Sequence, residues 1–200
     1  MELFWEKLEV GELQTNCYLL KDGEGGAVLI DPGGDPDYLA QVLSERNLKL
    51  LEIWATHGHF DHLLAAPQLQ LIYQVPLFLH PKDLFLARDL GKRAEYWLKC
   101  KVLVEKLGEI REIKEGEKLK LGRRFEFLVM ETPGHTPGGL CFWEKKEGLL
   151  FSGDTLFRDG VGRADFSYSR PAELQKSLKR IMKLPGGTRV LPGHGEEIGI

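Results

Sequence analysis

Residues 56–62 read Thr-His-Gly-His-Phe-Asp-His, which places His57, His59, Asp61 and His62 within six positions. Imidazole nitrogens together with a carboxylate suit borderline metal ions such as zinc, iron or manganese. A lone loop histidine is usually an ordinary polar residue, but three with an aspartate at this density point to a metal. Three further residues share the setting. His135 closes Thr-Pro-Gly-His, Asp154 closes Ser-Gly-Asp, and His194 closes Pro-Gly-His. Of six histidines, only His80 stands outside such a turn, and it reads as a structural, hydrogen-bonded residue. Five histidines and two aspartates exceed what one tetrahedral ion takes. They suffice for two ions sharing a carboxylate, a recurrent hydrolytic device with the ions ~3.5–4 Å apart.

Residues so far apart in the chain converge only if they sit at strand ends on one side of a sheet. Strands are predicted at 13–20, 27–31, 50–55, 75–79 and 125–129, with a hairpin of 140–143 and 149–152 and a last strand at 188–191. The strand at 50–55 runs directly into Thr56-His57, and those at 125–129, 149–152 and 188–191 lead into His135, Asp154 and His194. Asp35-Pro36 predicts a helix with an N-cap and a first-turn proline, its apolar stripe formed by Leu39, Val42 and Leu43. Further helices are predicted around 62–73, at 81–90, and at 171–184 with Leu174, Leu178 and Ile181 on one face. Residues 91–122 mix helical spacing with glycines and carry no assignment. Strands interleaved with helices make the class α/β or α+β.

Composition narrows the setting. The 200 residues are 42% hydrophobic and 28% charged, as expected for a globular chain, and a single domain over 1–200 is the expectation. A net charge of −3 and a pI near 6.1 argue against nucleic acid as a partner. No apolar stretch approaches the ~20 residues of a membrane span. Charges at Glu2, Glu6, Lys7 and Glu9 leave no signal-peptide core. Cys17, Cys100 and Cys141 form no CxxC and read as reduced, packed thiols, so the expected compartment is cytoplasmic. Only two asparagines occur, a lean toward a heat-adapted source. Glycine is abundant, 23 of 200, and it clusters beside histidine and aspartate rather than in linkers.

The series THGHFDH, TPGHTPG, SGDTLF and PGHG resembles the metallo-β-lactamase superfamily, from the NCYLL strand to His194. Within it the chain is most similar to glyoxalase II, the hydroxyacylglutathione hydrolases. The resemblance implies a four-layer αββα sandwich with the metals at one edge between two sheets. It implies that His57, His59 and His135 hold one ion, that Asp61, His62 and His194 hold the other, and that Asp154 and a hydroxide bridge them. Zinc is the first expectation for both ions, with iron or manganese as alternatives. Zinc β-lactamases of the common class place a cysteine in the second site, whereas this chain offers Asp154. The diiron flavoproteins carry a glutamate at the position of His59 and need a flavin domain; the nucleases add another domain.

The expected reaction is cleavage of a small-molecule thioester of the S-lactoylglutathione type. Bound ions lower the pKa of water to ~7 and polarise a carbonyl. A thiolate, with a pKa near ~8.5, leaves without a general acid, and no spare acid stands beside the motifs. Asp61 and Asp154 are the expected catalytic carboxylates, Asp61 as a proton shuttle. Arg163, in Gly-Arg-Ala-Asp-Phe, stands where the glyoxalase II group has a substrate-holding lysine; its ordinary alternative is a surface ion pair. Phe60 and Phe166 are expected to wall the pocket. Asp31, at a strand end, is expected to orient a ligand histidine through its other nitrogen, or else to serve the turn. Full-length glyoxalase II carries a helical C-terminal domain that supplies cations for glutathione. This sequence stops six residues after His194, so a clamp on a glutathione conjugate would come from 81–122, from Arg163 or from a neighbouring subunit. A mononuclear iron persulfide dioxygenase shares these motifs, GR-x-DF included, with iron on His57, His135 and Asp154. A metal-binding protein without catalysis is the third reading.

Overall fold

Apolar runs separated by glycine turns build two six-stranded sheets. The computed structural model describes residues 3–200. Met1 and Glu2, part of the segment considered for a signal peptide, lie outside the described residues. The first sheet holds β1 (Phe4–Val10), β2 (Thr15–Lys21), β3 (Gly26–Ile30), β4 (Lys49–Trp54), β5 (Leu77–Leu79) and β6 (Ile110–Glu112), paired in that order. β1 to β3 run antiparallel, and β3 to β6 are parallel. The second sheet orders β14 (Ile198–Gly199), β13 (Arg189–Pro192), β10 (Leu149–Gly153), β9 (Leu140–Glu144), β8 (Phe125–Glu131) and β7 (Lys118–Leu121). A small ribbon of β11 (Leu156–Phe157) and β12 (Gly160–Val161) follows Asp154.

The sheets pack face to face. Tyr18, Leu20, Val28, Ile30 and Trp54 meet Phe127, Val129, Phe142 and Phe151 between them, with Trp54 edge-on to Phe127 at 5.0 Å. The alternate residues Leu19, Leu29 and Ile53 face outward, where α1 (Pro36–Glu45), α3 (Ala66–Tyr73) and α5 (Leu90–Leu98) cover them through Leu39, Leu43, Leu69 and Ala94. On the far side Met130, Cys141, Leu150 and Val190 lie under Ile181 of α6 (Pro171–Ile181). Successive residues therefore serve two cores, which is why these strands are continuous apolar runs rather than alternating ones. The layers are helix, sheet, sheet, helix, the αββα sandwich that the sequence resemblance implies. Among the described residues no helix is long and apolar enough to cross a membrane.

Several elements differ from expectation. β1 was not foreseen. The helix expected around 62–73 is two, α2 (Phe60–Leu63) and α3, broken where the Ala65 N–H turns to the Pro32 carbonyl. The 81–90 segment is a 3₁₀ turn at Pro81–Asp83 and a short α4 (Leu84–Ala87), and α5, β6 and β7 occupy the unassigned stretch. The last helix ends at Ile181, with Ser177 more buried than Leu178. Asp35 occupies the N-cap position of α1 but makes no capping bond: it is left-handed, at φ 51°, and accepts the Gly11 N–H at 2.7 Å instead. Cys17 and Cys141 are buried, but Cys100 is exposed and is not packed as expected.

Candidate metal centre

β8 and β10 both run antiparallel to β9, and β13 runs parallel to β10, so all three end at the same edge of the second sheet. Their exits carry His135, Asp154 and His194. β4, from the facing sheet, delivers His57 and His59, and the first turn of α2 carries Asp61 and His62. Two glycines make the convergence feasible. Gly153 has φ +48°, and a Cβ there would collide with Thr56, so only glycine brings Asp154 against the histidine loop. A Cβ on Gly193 would sit 2.5 Å from Asp154 Oδ1 and 2.7 Å from His62 Cε1. His194 is held across the sandwich by Asn16, whose Nδ2 donates to the carbonyls of Pro192 and Gly195 at 2.9 Å each. The Tyr18 hydroxyl donates to the same Pro192 carbonyl at 2.7 Å.

The side chains meet in two groups. His57 Nε2 and His135 Nε2 each lie 3.0 Å from His59 Nδ1. His62 Nε2 lies 3.3 Å from His194 Nε2, and Asp61 Oδ2 is 3.4 Å from His194 Nε2 and 3.7 Å from His62 Nε2. Asp154 touches both: its Oδ2 is 3.6 Å from His135 Nε2, and its Oδ1 is 3.3 Å from His62 Nε2. Each trio has its donor atoms within 4.8 Å of one another. Asp154 Oδ1 is buried with no hydrogen-bond partner among the described residues, a costly state for a carboxylate oxygen unless a cation meets it. The donor set fits divalent cations.

The outward nitrogens decide where the lone pairs point. His135 Nδ1 faces the Arg163 carbonyl at 2.7 Å; a carbonyl only accepts, so Nδ1 carries the proton and Nε2 turns a lone pair inward. His62 Nδ1 likewise donates to Asp31 Oδ2 at 2.9 Å. The Thr56 hydroxyl gives its proton to Asp31 Oδ2 at 2.6 Å, so at 3.1 Å it accepts from His57 Nδ1. His59 uses Nδ1 inward and sets Nε2 against the Tyr168 hydroxyl at 2.9 Å. Asp31 also accepts the Thr56 N–H at 2.7 Å. With φ 52°, it holds the left-handed conformation that aspartate tolerates better than most residues. Asp31, His57 and His62 form a further close trio, but these bonds already occupy the Asp31 carboxylate.

Electrostatics separate the imidazoles. Burial, reinforced by its histidine neighbours, pushes His57 well down, and burial with His135 lowers His59 to about 3. Burial also disfavours charge on His62, but the Asp154, Asp31 and Asp61 carboxylates outweigh it and push its pKa up. Burial raises Asp154, and His62, His135 and His194 overcome that and hold it well below the carboxylate range.

A cavity of about 320 Å³ opens over the clusters, lined by His59, Asp61, Asp154, Phe166 and others. Arg163 is at its rim but is paired with Asp165 at 3.0 and 2.8 Å, the surface ion pair that was its alternative reading. Phe166 stands edge-on to His59 at 5.4 Å. Phe60 lines the cavity while packing into the helix-covered core. His80 bonds Glu131 at 3.0 Å and the Lys82 N–H at 3.2 Å, away from the clusters. Sequence reasoning missed Tyr168, Arg93, Trp97 and Asp83. The buried Asp83 accepts from Gly58 N–H, Thr136 Oγ1 and Gly138 N–H at 3.0, 2.7 and 2.6 Å, tying the two histidine loops together. Its partners lie 25 to 55 residues away along the chain, so no local pattern marks it.

A family model described as the metallo-beta-lactamase superfamily matches residues 10–194. The hydroxyacylglutathione hydrolase GloC of Haemophilus influenzae is 36% identical, over 95% of this chain and 90% of its own length. Among solved structures, TTHA1623 in a di-iron-bound form is 40% identical, with TM-score 0.88 over 97% of this chain and 94% of that one. The BLEG-1 B3 metallo-beta-lactamase is 32% identical, with TM-score 0.88 over 98% and 94%.

Proposed function

The chain belongs to the metallo-beta-lactamase superfamily, and on that premise we propose that it is a two-metal thioester hydrolase of the hydroxyacylglutathione type. The observation that carries the reading is Asp154, one buried carboxylate with an oxygen toward each cluster. His57, His59 and His135 would hold one ion, and Asp61, His62 and His194 the other. Two divalent ions would supply a Lewis acid for the carbonyl and a water acidic enough to attack near neutral pH. Asp61, the proton shuttle of this reading, is held ionised because His62 and His194 outweigh its burial, so it would hold a proton only in passing. Asp31 holds His62 directly and His57 through Thr56, fixing which nitrogens point inward. Phe60 and Phe166 shield the reacting centre from bulk water, and Arg163 closes the rim.

The leaving group follows from what lines the cavity. Apart from the clustered residues, Tyr168 is the one neutral acid among the described lining residues, and burial pushes its hydroxyl up, away from proton donation near pH 7. An amide nitrogen needs a general acid, whereas a thiolate with a pKa of ~8.5 does not. The B3 likeness makes a β-lactam amide the natural competitor, and the GloC likeness supports the thioester.

The test uses protein loaded separately with zinc, iron or manganese and assayed on S-lactoylglutathione, a β-lactam, and glutathione persulfide with an oxygen electrode. Two metals per chain and thioester cleavage are expected. A chelator is expected to abolish activity and leave far-UV circular dichroism largely unchanged, because a core of this size does not depend on metal. One iron with oxygen uptake, β-lactam cleavage alone, or no activity in metal-replete protein would each overturn the reading.

A further inference from the structure

We propose that Arg93 selects the substrate by binding a carboxylate on the thiol half of the thioester, an inference that rests on the thioester reading above. Arg93 and Trp97 are four residues apart on α5 and both line the cavity over the clusters, as side chains one turn apart on a helix do. Among the described residues Arg93 has no ion-pair partner, and its Nε is buried without a hydrogen bond. A buried guanidinium N–H left unmet is costly, and such groups are ordinarily satisfied. Arg163, the cation that the sequence motif singles out, is the opposite case. Its fork is already filled by Asp165, and its plane rests 4.7 Å over Phe166.

Arg93 is also well placed. Its guanidinium lies 5.7 Å over the Phe85 ring. Phe85 is 5.5 Å from Tyr168, and the Tyr168 hydroxyl is 2.9 Å from His59 Nε2. Arg93 and Tyr168 thus line one cavity with His59, the cation set back from the cluster behind aromatic side chains, and a carrier lying in that cavity would reach from the cluster to the guanidinium. A planar fork matches a carboxylate in two-pronged fashion. The cavity of about 320 Å³ is at the small end for ligand sites, which run roughly 300–1,000 Å³. That size favours a peptide-like carrier over a nucleotide-bearing one, and so a carboxylate over a phosphate.

The experiment compares wild type, Arg93→Gln and the neighbouring Lys92→Gln on three lactoyl thioesters, those of glutathione, coenzyme A and uncharged N-acetylcysteamine. Arg93→Gln is expected to raise KM for the glutathione thioester about 10- to 100-fold, with kcat kept within a factor of about three. KM for the uncharged thioester should not move, which also shows that the variant folds. Lys92→Gln should match wild type on all three. Calorimetry with S-methylglutathione should show the same loss of affinity in Arg93→Gln. An unchanged KM for the glutathione thioester, or an equal rise for the uncharged one, overturns the proposal. A loss confined to the coenzyme A thioester overturns it in favour of a phosphate. If wild type cleaves no thioester, the functional reading fails, and S-methylglutathione binding still decides the role of Arg93.

Discussion

His57, His59 and His135 form a cluster of imidazoles alone, whereas Asp61, His62 and His194 mix imidazole with carboxylate. Burial keeps His57 and His59 neutral, so these two offer lone pairs with no proton to displace. His62 sits among three carboxylates that push its pKa up, so the second cluster must give up a proton to take a cation. The two halves trade solvation cost against charge. One is built of imidazoles alone; the other sets carboxylates around a proton that a cation must displace. Asp154 reaches both, with one oxygen toward each.

The largest effect is therefore expected where the halves meet. Asp154→Asn keeps the size and removes the shared charge. It is expected to lose at least one metal and to lower kcat by more than the roughly 10²–10³ that one oxyanion-hole donor is worth, with circular dichroism unchanged. Two tightly held metals in this variant, measured by elemental analysis, would show that the carboxylate joins nothing.

Next come the halves themselves. His135→Ala should loosen the ion of the first cluster and His194→Ala that of the second, each by more than the ~10–100-fold of an outer partner. Acid sharpens the contrast. The raised pKa of His62 means that its proton competes with the cation over a wider range as pH falls, so the second cluster should empty first. Metal content after dialysis at stepped pH reads this directly. Simultaneous release would mean that the clusters do not differ as their charges imply.

Asp31→Asn is the mildest change. It spares every donor atom facing the clusters and weakens the hold on His62 and on Thr56. Both metals should remain but bind ~10–100-fold more weakly. If Asp31→Asn loses its metals while Asp154→Asn keeps them, the roles of the two aspartates are exchanged.

How far the site was legible follows the same division between local and distant. His57 to His62 lie in one heptapeptide, and His135, Asp154 and His194 each follow a glycine at a strand end, so density and turn residues exposed them. Asp83 was invisible because its partners Gly58, Thr136 and Gly138 lie 25, 53 and 55 residues away. Arg93 and Trp97 sit on a helix that opens without a side-chain cap and carries Gly91 in its first turn, so its start carried no signal. β1 alternates the buried Leu8 and Val10 with Lys7 and Glu9, the pattern of an edge strand with one wet face, and its charges stood out more than its period. The buried strands were plain because both their faces pack into a core, which fills most of their positions with apolar side chains.

The grip of Asn16 and Tyr18 on Pro192 and Gly195 spans 174 to 179 residues. Contacts so distant along the chain carry the greatest loop-closure cost and form slowly. The pocket for a cation is thus completed by one of the most kinetically demanding closures of the molecule, and an ion arriving earlier meets only the heptapeptide and its neighbours. An ion that binds only the closed form adds about 2.7 kcal/mol at a free concentration of 100 Kd. That energy falls on the unfolding side of the barrier if the closure is late. Loaded protein would then refold at the same rate as stripped protein and unfold far more slowly, so that the metals act as a latch on a door the chain must first shut by itself.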